Sequence, residues 1–219
     1  MTTLLVLGGS GRTGVHVLSQ AVERGHRVRA LVRNPDAVVA PDGVELVAGT
    51  PARIDDIRRA AEGVDAVVSA LNNSRASDNP WATPVSPPAF MTDATRDTLT
   101  VMTENGIRRI AVASTQGAGD SWPALNPLMK GLIKTSGIRH GYTDHHGVDA
   151  VVRASDVEWV MARSVALSDA PSRGTARAAL VGTEKPGFSI SRADVARFLL
   201  DSLEDDTWLR QAPLIWNDR

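Results

Sequence analysis

The chain has 219 residues, and at roughly 150 residues per domain this predicts one α/β domain, with room for a small cap. Hydrophobic residues make up 42% and charged residues 22%, the balance of a soluble globular chain that can fill a core. A net charge of −1 and the absence of cysteine remove the electrostatic case for a nucleic-acid or anionic-membrane partner. They also remove thiol nucleophiles, disulfides, iron–sulfur ligation and Cys-based zinc sites.

Met1-Thr2-Thr3 lacks the basic region of a signal peptide, and no stretch approaches the roughly 18 apolar residues of a membrane span, so a cytoplasmic location is expected. The apolar run from Thr3 to Gly8 reads as a buried parallel strand. Val15, Leu18 and Val22 then recur at helical spacing before Gly25 closes the element. His26 to Val32 and Val44 to Ala48 read as strands two and three, with Ile54, Ile57 and Ala61 forming a short helix face after them. Val64 to Leu71 is a fourth strand, and Thr92 to Asn105 a helix stopped by Asn105-Gly106. Ile107 to Ser114 is strand five, Tyr142 to Ala154 a helix, and Val157 to Ala162 strand six. Ser191 and Asp194 resemble a capping box that opens a last helix, Ala193 to Leu203.

This alternation predicts a three-layer Rossmann fold: one domain over residues 1–219, with a doubly wound, mostly parallel sheet covered on both faces. Two stretches interrupt it. Asn72–Met91 holds four prolines with Trp81 and Phe90, and Gln116–Gly141 holds Trp122, Leu128 and Met129. Both follow strand ends at the edge where open α/β sheets bind ligands, so they read as loops forming a small substrate cap.

Between the first strand and first helix stands Gly8-Gly9-Ser10-Gly11-Arg12-Thr13-Gly14. Glycines there permit a tight turn and let backbone N–H groups approach a pyrophosphate, while the helix N-terminus favours the anion. Strand two ends Val32-Arg33-Asn34-Pro35, with no carboxylate before Asp36. Arg33, aided by Arg12, suits the 2′-phosphate of NADP(H), which is favoured over NAD(H).

Together with Leu31–Pro35, Ser114-Thr115, Val152–Ser155 and Ile190–Ala196, the GGSGRTG loop resembles the atypical short-chain dehydrogenase/reductases. That group includes NmrA-like proteins and the biliverdin-IXβ/flavin reductases. The resemblance runs from Thr3 to about Leu203. It implies that Gly49-Thr50, Ala70-Leu71, Ser114-Thr115 and Arg163-Ser164-Val165 line the cofactor. Two positions depart from the relatives' pattern, which often has Asp where Thr50 stands and Pro where Ser164 stands. The resemblance also implies that Asp144-His145 is the Asp-His pair opening the fifth helix, and it suggests His145 as a substrate contact.

The chain has five Trp but one Tyr, and this limits the chemistry. Short-chain dehydrogenases use a Tyr-x-x-x-Lys pair in which lysine lowers the tyrosine pKa. Here Tyr142 is followed four residues later by His146, and strand five ends Thr115-Gln116 rather than with a second hydroxyl. Thr115, Gln116, Tyr142 and His146 are therefore the catalytic candidates, without the usual proton-transfer set. The pattern favours an NADPH-dependent oxidoreductase delivering hydride to a small planar acceptor: a flavin, a quinone or a related conjugated carbonyl. Trp81, Phe90, Trp122, Leu128 and Met129 would wall the acceptor. Two alternatives stand beside it. One is an NmrA-like NADP(H)-binding redox sensor without turnover, and the other a biosynthetic ketoreductase or epimerase using Tyr142 and His146. His140, His145 and His146 match no familiar metal-ligand spacing, so no metal is expected. The partner is a small molecule, and dimers are common in such folds, so a homodimer is compatible with the sequence.

Overall fold

A computed structural model describes residues 1–218. Its strands and helices, in chain order, are β1 (Thr3–Leu7), α1 (Gly14–Glu23), β2 (Arg27–Val32), β3 (Val44–Ala48), α2 (Ile54–Ala60), β4 (Ala66–Ser69) and α3 (Phe90–Asn105). Then follow β5 (Arg109–Thr115), α4 (Pro127–Thr135), α5 (Arg139–Arg153), β6 (Glu158–Ser164), β7 (Ala166–Ser168), β8 (Arg177–Ala179), β9 (Ser189–Ser191), α6 (Arg192–Glu204) and β10 (Leu214–Trp216). The main sheet runs β3-β2-β1-β4-β5-β6-β10-β8. Every pairing in it is parallel except that of β10 with β8. Strand order reverses between β1 and β4, which places the switch point directly at the glycine loop.

Both faces of the sheet are covered, which is why β1 reads as an unbroken apolar run. Leu4 and Val6 pack with Val17, Leu18 and Ala21 of α1 and Val195, Leu199 and Leu200 of α6. Leu5 and Leu7 pack on the other side with Ile57 of α2, Met91 and Met102 of α3, and Val148 and Val152 of α5. Trp159 and Trp216 are buried in these two cores. The Ser191 cap forms as expected: its Oγ accepts the Asp194 N–H at 3.0 Å and donates to Asp194 Oδ2 at 2.8 Å.

The segment 116–141 is not one loop. Its second half folds as α4, with Pro127 in the first turn and Asn126 Oδ1 accepting the Leu128 N–H at 2.8 Å. The Asn-Pro pair before apolar 128, 129, 132 and 133 is a helix-start signal outweighed by the segment's glycines and prolines. The first stretch, by contrast, is irregular from 72 to 89, pinned by a bridge between Arg75 and Pro84. Helix α3 begins at Phe90, two residues before the expected start. The short strands β7 to β10 carry three residues each, too few for a periodicity to declare itself.

Candidate functional site

At the carboxyl edge of the sheet the glycine loop has the shape of a phosphate cradle. Gly8 has φ +79°, and a Cβ there would lie 2.7 Å from the Ala70 carbonyl oxygen, so only glycine lets β1 turn against the end of β4. A Cβ on Gly14 would lie 2.0 Å from Gly8 O, so the first turn of α1 must be bare to pack on the strand end. Gly11 N–H closes back on Gly8 O at 3.0 Å, while Ser10, Arg12 and Thr13 donate to no backbone carbonyl among the described residues. Ser10, Gly11 and Arg12 are exposed. Free N–H groups at a helix N-terminus, with the side-chain space empty, fit a dinucleotide pyrophosphate.

The other positions expected to line the cofactor lie on the same edge. Gly49 and Thr50 follow β3, and the Thr50 N–H donates to Asp56 Oδ2 at 2.9 Å. That bond first, and Arg59 second, hold the Asp56 carboxyl below the usual carboxylate range. The carboxylate at this corner therefore comes from α2 and is committed to the turn. Ala70 and Leu71 follow β4, with the Ala70 N–H on Leu7 O at 2.9 Å. Ser164 Oγ donates to Ser114 O at 3.1 Å, and the Gln116 N–H to Ser164 O at 2.8 Å, so a hydroxyl ties β5 to β6. Ser114 Oγ is buried without a partner, and Val165 is buried in the core. Arg33 is exposed at the end of β2 and makes no ion pair among the described residues, whereas Arg12 pairs with Asp78 at 3.0 Å and lies 3.9 Å from Asp169.

A second cluster stands beside the end of β5. Tyr142, His146, Asp149 and Arg153 share one stripe of α5, at helical spacing, and that stripe faces residues 115–122. Burial pushes the Tyr142 phenol up, and the nearby Thr115 side chain offsets this only in part. His146 Nδ1 accepts the Gly119 N–H at 3.0 Å. Burial, opposed by Asp149 and assisted by Arg163, holds the His146 pKa below that of an ordinary histidine. The Trp122 ring meets Tyr142 edge-on at 6.2 Å and His146 at 5.7 Å. Asp149 anchors Arg153 at 2.7 Å and the fully buried Arg163 at 2.6 Å, and Arg163 also reaches Asp120 at 2.5 Å.

Thr115, Trp122, Tyr142 and His146 thus come together, with Gln116 half-buried beside them. The other expected acceptor contacts scatter. Trp81 is 65% exposed on the 72–89 segment, and Leu128 and Met129 are exposed on α4. Phe90 packs against the core beneath α3. His145 is buried, its Nδ1 without a partner among the described residues, and burial pushes its pKa down to about 4. Sequence reasoning missed the Asp149–Arg163–Asp120 network; the i, i+4 pair Asp149/Arg153 was its only visible trace. Among the described residues no group of acidic and histidine side chains could hold a metal ion, and no helix is long and apolar enough to cross a membrane.

A profile of the family described as NAD(P)H-binding matches residues 8–206. The chain belongs to that family. Its fold is the Rossmann-like α/β fold of NAD(P)-binding proteins. ChuY, an anaerobilin reductase of Escherichia coli O157:H7, superposes with a TM-score of 0.80 at 21% identity, covering 98% of this chain and 97% of its own. A short-chain dehydrogenase/reductase of Veillonella parvula, solved in complex with NADP, superposes with a TM-score of 0.79 at 14% identity, covering 99% and 94%. The photosystem II assembly factor Ycf39 of Trieres chinensis is 37% identical over 78 residues, 35% of this chain and 24% of that protein. The match therefore spans about a quarter of that relative's length.

Proposed function

We propose that the protein is an NADPH-dependent oxidoreductase that reduces a small planar acceptor, a flavin, quinone or related conjugated carbonyl, by direct hydride transfer. NADPH, when bound, supplies the hydride. The residues supply the rest. The Gly8–Gly14 loop holds the pyrophosphate through bare N–H groups, Arg33 receives the 2′-phosphate, and the strand ends at 70–71, 114–115 and 164–165 line the dinucleotide. Trp122 gives the acceptor an aromatic wall and helps exclude water.

The observation that carries this reading is the state of Tyr142. The chain's sole phenol has no lysine partner, and its pKa is raised by burial against a smaller opposing effect of Thr115. A phenol in that state is a poor acid–base catalyst at neutral pH, so the chemistry falls to an acceptor that needs only hydride and a solvent proton. That effect of Thr115 on Tyr142 is the one observation favouring the ketoreductase or epimerase alternative. The test is NADPH oxidation against flavins, quinones and carbonyls, followed at the reduced cofactor's absorption band. Tyr142→Phe should keep kcat/KM within about three-fold. A loss of about a thousand-fold, near 4 kcal/mol, would move the assignment to the ketoreductase. If no acceptor oxidises NADPH, the protein is a sensor rather than an enzyme.

A further inference from the structure

We infer that His146 is the hydrogen-bond donor to the acceptor, presenting Nε2–H from a ring fixed in one tautomer by the Gly119 backbone; the inference rests on the reductase reading. A backbone N–H can only donate, so the Gly119 contact at 3.0 Å requires a lone pair on His146 Nδ1. A neutral ring with Nδ1 unprotonated carries its hydrogen on Nε2. Protonating Nδ1 would set two donors against each other, with the buried Arg163 guanidinium nearby.

Gly119 is itself held in place. Asp120, its neighbour, is bonded to Arg163 and Arg153, and both arginines are bonded to Asp149, one turn beyond His146 on α5. The ion pairs thus fix Asp120 next to Gly119, and the Gly119 bond orients the imidazole. Nε2 has no hydrogen bond among the described residues, although the ring is only half-buried. The His146 ring itself meets Trp122 edge-on, as does Tyr142 one turn before it on α5.

That is the equipment a conjugated carbonyl or imine acceptor uses. Electron density builds on its heteroatom as hydride arrives, and an N–H fixed beforehand stabilises that charge without reorganising. His146 neither gains nor loses a proton in the step. The acceptor takes its hydride from the reduced cofactor and its proton from water.

Two substitutions separate this role from a structural one. Asparagine places an amide oxygen near Nδ1 and can keep the Gly119 bond, whereas glutamine places an amide N–H near Nε2. In NADPH oxidation with oxidised FMN, menadione or biliverdin, whichever the native protein turns over fastest, His146→Gln, which keeps a donor near Nε2 but gives up the Gly119 bond, should lose activity by less than His146→Asn. His146→Asn should lose about 10- to 100-fold in kcat/KM for the acceptor with NADPH affinity unchanged. The reverse order, or equal activity in both variants, overturns the inference and leaves the reductase reading intact. No oxidation by the native protein instead defeats the reductase reading, and the inference with it. Independently of turnover, two-bond 1H–15N NMR of the imidazole should find Nδ1 unprotonated and Nε2 protonated at pH 7. A ring protonated on Nδ1, or a mixture of tautomers, overturns it.

Discussion

Single residues decide cofactor choice and acid stability. Arg33, at the end of β2, makes no ion pair among the described residues, while Arg12 is already engaged by Asp78. The charge available to a 2′-phosphate is therefore mainly Arg33. Arg33→Ala should weaken NADPH by about 10- to 100-fold, the range of a charge-assisted contact, and leave NADH within about two-fold. Equal weakening of both, read by fluorescence titration, would remove that assignment. His145 governs a different property. Its pKa is depressed to about 4 in the fold, by burial first and against the pull of Asp144. The unfolded chain therefore binds a proton near pH 6.5 that the folded chain refuses until about pH 4. Stability falls as pH drops through that window, by at most about 1.4 kcal/mol per pH unit. The carboxylates held low by their partners, Asp56, Asp194 and Glu204, act in the same direction but only below about pH 4.5. Urea unfolding between pH 6.5 and 5 should therefore show a slope that His145→Gln flattens, whatever that variant does to stability at pH 7. An unchanged slope would mean that His145 titrates normally.

At the scale of elements, α5 supports α3. Helix α3 starts from Ala89, whose φ of 57° is left-handed and whose side chain cannot cap. The cap arrives from another helix: Asp144 accepts the Met91 and Thr92 N–H groups at 2.8 Å each, and the Thr92 hydroxyl and Asn73 amide besides. Asp144→Ala should therefore cost more than an ordinary cap, about 2–4 kcal/mol in urea unfolding with the slope unchanged. A loss under about 1 kcal/mol would mean that water replaces the carboxylate. The motif matching that placed Asp144-His145 at the start of a helix gave no hint of this work, because the partner lies 52 residues away. The strands and helices that bury a full face were legible for the same physical reason that they fold. β3 was expected at Val44–Ala48, where it lies, and the end of β1 and the start of α1 follow from glycines whose Cβ has no room. What escaped was structure fixed by distant partners: β8 and β10, which exist only by pairing with each other and β6, and the Arg163–Asp149 network. Trp122 was expected as an acceptor-side ring; its edge-on contacts with both Tyr142 and His146 left no mark in the sequence.

The whole molecule brings three chain segments together over the glycine loop. Arg12 projects from the β1–α1 turn to Asp78, on the segment after β4, and towards Asp169, just beyond β7. Asp169 is also held by the nearly buried Arg192 at the start of α6, at 2.6 Å. The Arg12–Asp78 pair is bidentate, yet both side chains are more than half exposed, so solvent screening limits it to about 0.2–1 kcal/mol. A contact that weak does not hold the fold together. It can still tax a phosphate that must compete for the same guanidinium, and a tax of that size is about 1.4- to 5-fold in affinity. Asp78→Asn should accordingly leave the unfolding free energy within about 0.5 kcal/mol and tighten NADPH about two- to five-fold. NADH, which lacks the extra phosphate, should not respond. The gain should shrink as salt is raised, since added ions already screen the pair in the native protein. Weaker NADPH binding in Asp78→Asn would reverse the reading, making Asp78 a residue that closes over the bound dinucleotide rather than one the dinucleotide displaces.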